Sequence, residues 1–324
     1  MTRHQLLHGP PSTDVPASNE PAVQVDSLVK SYAGARVVDN VSFSVRHGEI
    51  LGVLGANGAG KTTTVECLQG LRRPDSGSLR VLGVDPCTDP ARLRTVVGSQ
   101  LQEADLPDRL RVGEAISLFG AVTQDHIDVE AVLRPWGLLA HRHTAFGDLS
   151  GGGRQRLFIA LALLHRPRVP LLDELTRGLD PSARRDVWEV IRSVRDQGTT
   201  VIVVSHFADE VEELCDRVIV MGGGQVVQRG TPADLTRRFG GPTRISFTPP
   251  PQWTLESLPQ DPRITEVIPA AQSPDQRVHV VTGAEMIPAI CASTLTGGAM
   301  GPTDLQVSHP RMHEAMLNVI GEVS

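Results

Sequence analysis

The chain has 324 residues, 40% hydrophobic and 21% charged, with a net charge of −6, a balance typical of globular proteins. That acidic excess argues against a broad nucleic-acid-binding face, which collects Lys and Arg to neutralise phosphates. The longest apolar run, Leu157 to Leu164, is far shorter than the ~18 to 20 residues of a membrane span. Cys67, Cys87, Cys215 and Cys291 are too widely spaced to suggest a disulfide framework or a zinc site, so a reducing, cytoplasmic setting is expected.

Residues 1–21 lack the apolar stretch of a signal peptide and read as a disordered leader. From Val23 to Arg46 apolar and polar residues alternate around a glycine turn, the pattern of antiparallel strands. An apolar strand at Ile50 to Leu54 then leads into a glycine loop and a helix. Further strands are predicted at Ser78 to Leu82, Pro170 to Asp173, Thr200 to Ser205 and Arg217 to Met221, with helical patterns between them. One such helix shows Val187, Val190, Ile191 and Val194 on one face. Strands alternating with helices predict a mostly parallel sheet with both faces covered.

Residues 103–166 read as a helical insert with almost no strand signal. Near Gly240 to Pro251 the composition shifts to Gly, Pro and Thr. This predicts a main domain over 22–240 and a small α/β domain over 241–324. Within the latter the pattern gives strand 243–248, helix 253–258, strands 264–268 and 277–282, helix 284–295, strand 303–308 and a last helix near 310–320. That order resembles a ferredoxin-like unit.

The chemistry begins at "GANGAGKT", Gly55 to Thr62, which matches G-x-x-x-x-G-K-[ST] between a strand and a helix. Glycines let backbone N–H groups curl around phosphate oxygens, and the helix N-terminus adds positive potential. Gly55, Asn57, Gly58, Gly60, Lys61, Thr62 and Thr63 are the candidate nucleotide-binding residues. Lys61 would reach the β and γ phosphates, and Thr62 would give a hydroxyl to Mg²⁺. Only two of the 31 basic residues are lysines, Lys30 and Lys61, which makes a lysine at this position stand out.

"VPLLDELTRGLD" places Asp173 at the end of an apolar strand, suited to hold Mg²⁺, and follows it with Glu174, suited to polarise an attacking water. "LSGGGRQRL" opens a helix with three glycines, each costing roughly 1 kcal/mol in a helix interior. Ser150 caps that helix in the simplest reading. Capping alone does not call for the glycines.

A P-loop, LSGG-type glycines, a strand followed by Asp-Glu, then "GLD" and then Ser205-His206, in that order over Val23 to Phe239, resemble the nucleotide-binding domain of ABC transporters. The resemblance implies an α/β P-loop NTPase fold with an antiparallel β subdomain and a helical insert. It further implies ATP and Mg²⁺ as cofactors and a head-to-tail homodimer with two ATP molecules clamped between protomers. By the same resemblance Ser150, Gly151 and Gly152 approach the γ-phosphate held by the other protomer, Tyr32 stacks on adenine, Gln102 is the Q-loop residue sensing Mg²⁺, with Gln100 as a competing alignment, Asp180 couples the two sites, and His206 contacts the γ-phosphate.

"QLQEADLPDRL", "DELTRGLDP" and "FADEVEELCDRVIVM", with the appended tail, look like the daunorubicin-resistance-type exporter ATPases. That likeness implies a separately encoded membrane permease, a drug-like or hydrophobic cargo and a place on the cytoplasmic face of the membrane. A soluble ABC-type switch is the alternative. Three positions depart from the family pattern: Gly153 replaces a glutamine, Leu175 a proline, and Pro170 falls within a strand. None removes a catalytic group, so a working, slowed ATPase is expected.

Overall fold

The computed structural model describes residues 20–100, 105–121, 127–249, 254–283, 286, 287, 290 and 303–321. The alternating N-terminal segment forms two antiparallel strands, β1 (Val23–Tyr32) and β2 (Ala35–Val45). They turn through Ala33 and Gly34, both at positive φ, the conformation that matches the strand twist of a two-residue hairpin. The next apolar run, β3 (Ile50–Gly55), joins a different sheet, and β4 (Ser76–Val81) returns to pair with β1, giving a three-stranded sheet in the order β2-β1-β4.

The second sheet contains β3 together with β5 (Val97–Gln100), β6 (Val169–Asp173), β7 (Val201–Ser205), β8 (Arg217–Gly222) and β9 (Gln225–Gly230). Its order is β5-β6-β7-β3-β8-β9, parallel throughout except for the final antiparallel pair. Every residue of β3, β6 and β7 is buried, as expected for parallel strands covered on both faces. Pro170 lies opposite Gly98 of β5, one residue before the β6–β7 pairing begins at Leu171. Pro170 therefore sits at the N-terminal start of the β6–β7 ladder, where proline is tolerated best in a strand.

The helices that follow these strands are α1 (Lys61–Leu68), α2 (Pro90–Val96), α3 (Val112–Gly120), α4 (Val129–Leu133), α5 (Gly151–Leu163), α6 (Pro181–Asp196) and α7 (Ala208–Leu214). The described part of the predicted insert is helical, with α3, α4, α5 and two 3-10 turns. Its strand-like feature is an isolated bridge between Arg111 and Ala145. On α6 the buried face is Val187, Trp188 and Ile191.

Two strands are not legible in the sequence pattern. β5 is the four-residue VGSQ, and β9, QVVQRG, is a partly exposed edge without alternation.

The chain divides into two compact units, one running to Pro232 and taking in Val319 onward, the other spanning Ala233–Asn318. Among its described residues the second unit contains most of α8 (Pro232–Phe239) and four strands: β10 (Thr243–Thr248), β11 (Ile264–Ile268), β12 (Val278–Thr282) and β13 (Thr303–Ser308). They pair antiparallel in the order β11-β12-β10-β13, which is the strand order of a ferredoxin-like sheet. Ile245, Phe247, Val278, Val280 and Ile290 form its core. The helix expected at 253–258 is a single 3-10 turn, Leu255–Ser257, cut short before Pro259. Most of the helix expected at 284–295 lies outside the described residues, and a last helix spans Met312–Gly321.

Candidate functional site

The glycine loop joins buried β3 to α1, and its backbone is held by close approaches that exclude side chains. Gly60 has φ of 92°, and a Cβ there would strike the carbonyl oxygen of Val37 on β2; one on Gly55 would strike that of Met221 on β8. Alanine at either position would therefore displace backbone. Gly60 occupies the N-cap of α1 and offers no side-chain acceptor, so the first-turn N–H groups are left to other partners. Asn57, Gly58 and Thr62 are exposed, and Thr63 is half-buried. Lys61 Nζ donates to the carbonyls of Gly55 and Ala56, 2.9 Å each. Burial lowers the pKa of this ammonium, while the negative charges of Asp173 and Glu174 push it upward.

Those two carboxylates come from the end of β6. Asp173 is 7% exposed. Glu174 leaves the strand with φ of 48°, a left-handed conformation disfavoured for a residue with a Cβ, and its N–H donates to Val204 O of β7 at 2.9 Å. Its carboxylate is bracketed: His206 Nδ1 lies 3.2 Å from Oε1, and Arg177 Nη1 donates to Oε2 at 2.8 Å. His206 stacks on Phe207, with ring centroids 4.0 Å apart, just past the end of β7. Lys61, Asp173, Glu174 and His206 are thus gathered at the C-terminal ends of neighbouring parallel strands, where open α/β sheets place ligands.

At the start of α5, Ser150 Oγ accepts from Gly153 N–H at 3.1 Å, a regular N-cap. Ser150 and Gly151 are exposed, and a Cβ on Gly151 would meet nothing within 4 Å. Gly152 is tighter, because a Cβ there would sit 3.0 Å from Leu179 Cδ2. Asp180 caps α6 by accepting from Ser182 and Ala183 N–H at 2.9 and 3.0 Å. Those backbone donors, Ala183 first, hold its carboxyl below the usual range.

Tyr32 ends β1 at 38% exposure, with Lys30 Nζ 5.5 Å and Arg72 Cζ 6.0 Å from its ring centroid. Gln102 lies outside the described residues. Gln100, its competing alignment, ends β5 as a buried side chain.

Three contributors lie outside the residues that the motifs single out. Gln155 of α5 donates through Nε2 to the carbonyls of Glu174 and Leu175. Arg177 belongs to "DELTRGLDP" without a role of its own there, although its i, i+3 spacing from Glu174 is a usable signal. Glu210 on α7 is 1% exposed, faces Ser205, Thr176 and Trp188, and has its pKa raised by burial.

Among the described residues no group of three or more His, Cys, Asp or Glu is placed to hold a metal ion. The Thr62 hydroxyl and Asp173 carboxylate are hard oxygen donors, and they suit Mg²⁺, which binds through one or two protein oxygens plus substrate phosphates.

The sequence profile of the ABC transporter family matches residues 38–177. The linearmycin resistance ATP-binding protein of Bacillus subtilis (strain 168) is 35% identical over 70% of this chain and 74% of its own length. The daunorubicin/doxorubicin resistance ATP-binding protein of Streptomyces peucetius is 35% identical over 68% of each. Among solved structures, an ATP-binding subunit of an ABC transporter superposes with a TM-score of 0.62 at 27% identity, covering 68% of this chain and 93% of its own.

Proposed function

Because this chain belongs to the ATP-binding proteins of ABC transporters, an ATPase family, we propose that it powers an exporter as a homodimer seated against a separately encoded membrane permease. The cargo in this reading is a drug-like or other hydrophobic compound, and the site of action is the cytoplasmic face of the membrane. Two relatives named for resistance to linearmycin and to daunorubicin and doxorubicin support the export reading. No helix among the described residues is long and apolar enough to cross a membrane; in the proposal the permease supplies the pathway.

The observation that carries the proposal is the Glu174 carboxylate, set between His206 and Arg177 and close enough to Lys61 to alter its pKa. In the proposed cycle, ATP phosphates compete with the carbonyls of Gly55 and Ala56 for the Lys61 ammonium, while the loop N–H groups of Gly58 and Gly60 line the triphosphate. Tyr32 offers its ring to the adenine. Thr62 and Asp173, with Gln102 as the expected further contributor, would hold Mg²⁺, which would supply positive charge to offset that of the phosphates.

The exposed Ser150 and Gly151, with the N–H of the more crowded Gly152, close on the γ-phosphate bound by the other protomer, and Asp180 couples the two sites. Glu174 accepts the proton of the attacking water, His206 steadies the γ-phosphate side, and product release reopens the dimer. Copurification with the permease and ATP turnover of the pair test the proposal. Absence of turnover, both in the isolated chain and in the complex, would refute it.

A further inference from the structure

Gln155 lies five residues past Ser150 on α5, half-buried, and its side-chain amide donates to the carbonyl of Glu174 at 2.8 Å and to that of Leu175 at 2.9 Å. These carbonyls flank strained backbone, because Glu174 has φ of 48°. Such a conformation persists only where its surroundings over-determine it. On its N-terminal side Glu174 is anchored by its own N–H on Val204 O. On its C-terminal side the Glu174 carbonyl accepts from Arg177 N–H at 3.1 Å and from Gln155, and the same Gln155 amide ties down the next carbonyl, that of Leu175. The carboxylate is then aimed by His206 and Arg177.

We infer that Gln155 is a positioning residue for hydrolysis: it pins the Glu174 backbone so that the carboxylate meets the attacking water. The same helix is capped by Ser150, which in the proposed dimer meets the γ-phosphate of the opposite protomer. Nucleotide held by one protomer thus bears on the base of the other through a helix segment of five residues. This inference rests on Glu174 being the base.

The test uses the full chain with ATP as the probe. Gln155→Met keeps the side-chain length without a donor, and Gln155→Lys keeps a donor. Misplacing a catalytic group is costly in rate, so kcat is expected to fall about tenfold or more in Gln155→Met, with KM for ATP within about twofold of wild type. Gln155→Lys is expected to retain a clearly higher kcat. In a Glu174→Gln background the Met substitution is expected to add no more than about twofold, because the base it would misplace is gone.

If Glu174→Gln hydrolyses at full rate, the base assignment fails and this inference fails with it. If Glu174→Gln is slow while Gln155→Met keeps kcat within about twofold, Gln155 alone is refuted. Equal losses in Met and Lys, or KM rising in step with the fall in kcat, would also overturn it. Should Gln155→Met not fold, Gln155→Glu must turn over more slowly than Gln155→Lys, since it sets a carboxylate against two carbonyls; equal rates would overturn the inference.

Discussion

His206 Nδ1 and Glu174 Oε1 lie 3.2 Å apart, each just past the end of one of two adjacent parallel strands. The register that pairs Asp173 with Val204 carries both residues to the same edge of the sheet. A carboxylate held there by a ring nitrogen is already oriented. Glu174→Gln keeps the shape but removes the proton acceptor, so ATP turnover is expected to fall by roughly 10² to 10⁴. The ATP-bound dimer should then persist in size-exclusion chromatography. A variant that hydrolyses normally and dimerises no longer than wild type would remove Glu174 from the base role.

Lys61 donates two hydrogen bonds to its own loop, and in the proposed cycle its charge passes to the phosphates. Hydrogen bonds involving a charged group are worth ~1.5 to 3 kcal/mol, so Lys61→Ala is expected to weaken ATP affinity by about 10- to 100-fold. Titration with a fluorescent ATP analogue measures this. Unchanged affinity would mean that the ammonium does not reach the nucleotide.

Ser150 can be tested in a way that separates its two roles. The hydroxyl caps α5 through Gly153 N–H, so Ser150→Ala should cost about 1 kcal/mol of stability. Ser150→Asp retains a good cap but sets a carboxylate where the proposed dimer places a γ-phosphate. Its melting temperature is therefore expected to match wild type while ATP-dependent dimerisation is lost. If Ser150→Asp still dimerises with ATP, Ser150 is a cap and nothing more.

What could be read from sequence follows from where each signal originates. The buried strands β3, β6 and β7, and the places of Lys61, Asp173 and Glu174 at their ends, are legible because apolar runs end abruptly in charged or glycine-rich turns, whereas His206 is singled out only by the family resemblance. β5 and β9 are not legible, since short or half-exposed edge strands have no periodicity to betray them. Gln155 sits in "GRQRL", where a glutamine among arginines resembles an ordinary solvated helix face. Its partners are backbone carbonyls 19 and 20 residues away, and backbone acceptors leave no mark in sequence. Glu210 is hidden for a similar reason. "ADEVEEL" reads as an acidic surface, yet α7 turns Glu210 inward with Ala208, Val211 and Leu214.

Glu210 leads to the pH-dependent prediction. Burial raises its pKa above the usual carboxylate range, against hydrogen-bonding groups of Ser205, Thr176 and Trp188 that favour the charged form. Neither carboxylate oxygen has a partner at ordinary hydrogen-bond geometry, and the same holds for Thr176 Oγ1 and Trp188 Nε1. Nearby, the Cys215 thiol is pushed well up, by burial first and then by the charges of Glu210 and Asp216.

A raised folded-state pKa means that the folded chain binds this proton more tightly than the unfolded chain. The associated stabilisation is complete below the unfolded pKa and is lost as pH rises through the folded one. Glu210→Gln is neutral at every pH and similar in shape, so it should melt higher than wild type in neutral and alkaline buffer. Its advantage should shrink toward zero as the buffer approaches the ordinary carboxylate range. Thermal melts of both proteins from about pH 5 to about pH 8 provide the comparison, and taking the difference between them cancels every other titrating group. A lower melting temperature for the variant at the alkaline end would mean that the ionised carboxylate is stabilised by its three neighbours more than burial penalises it.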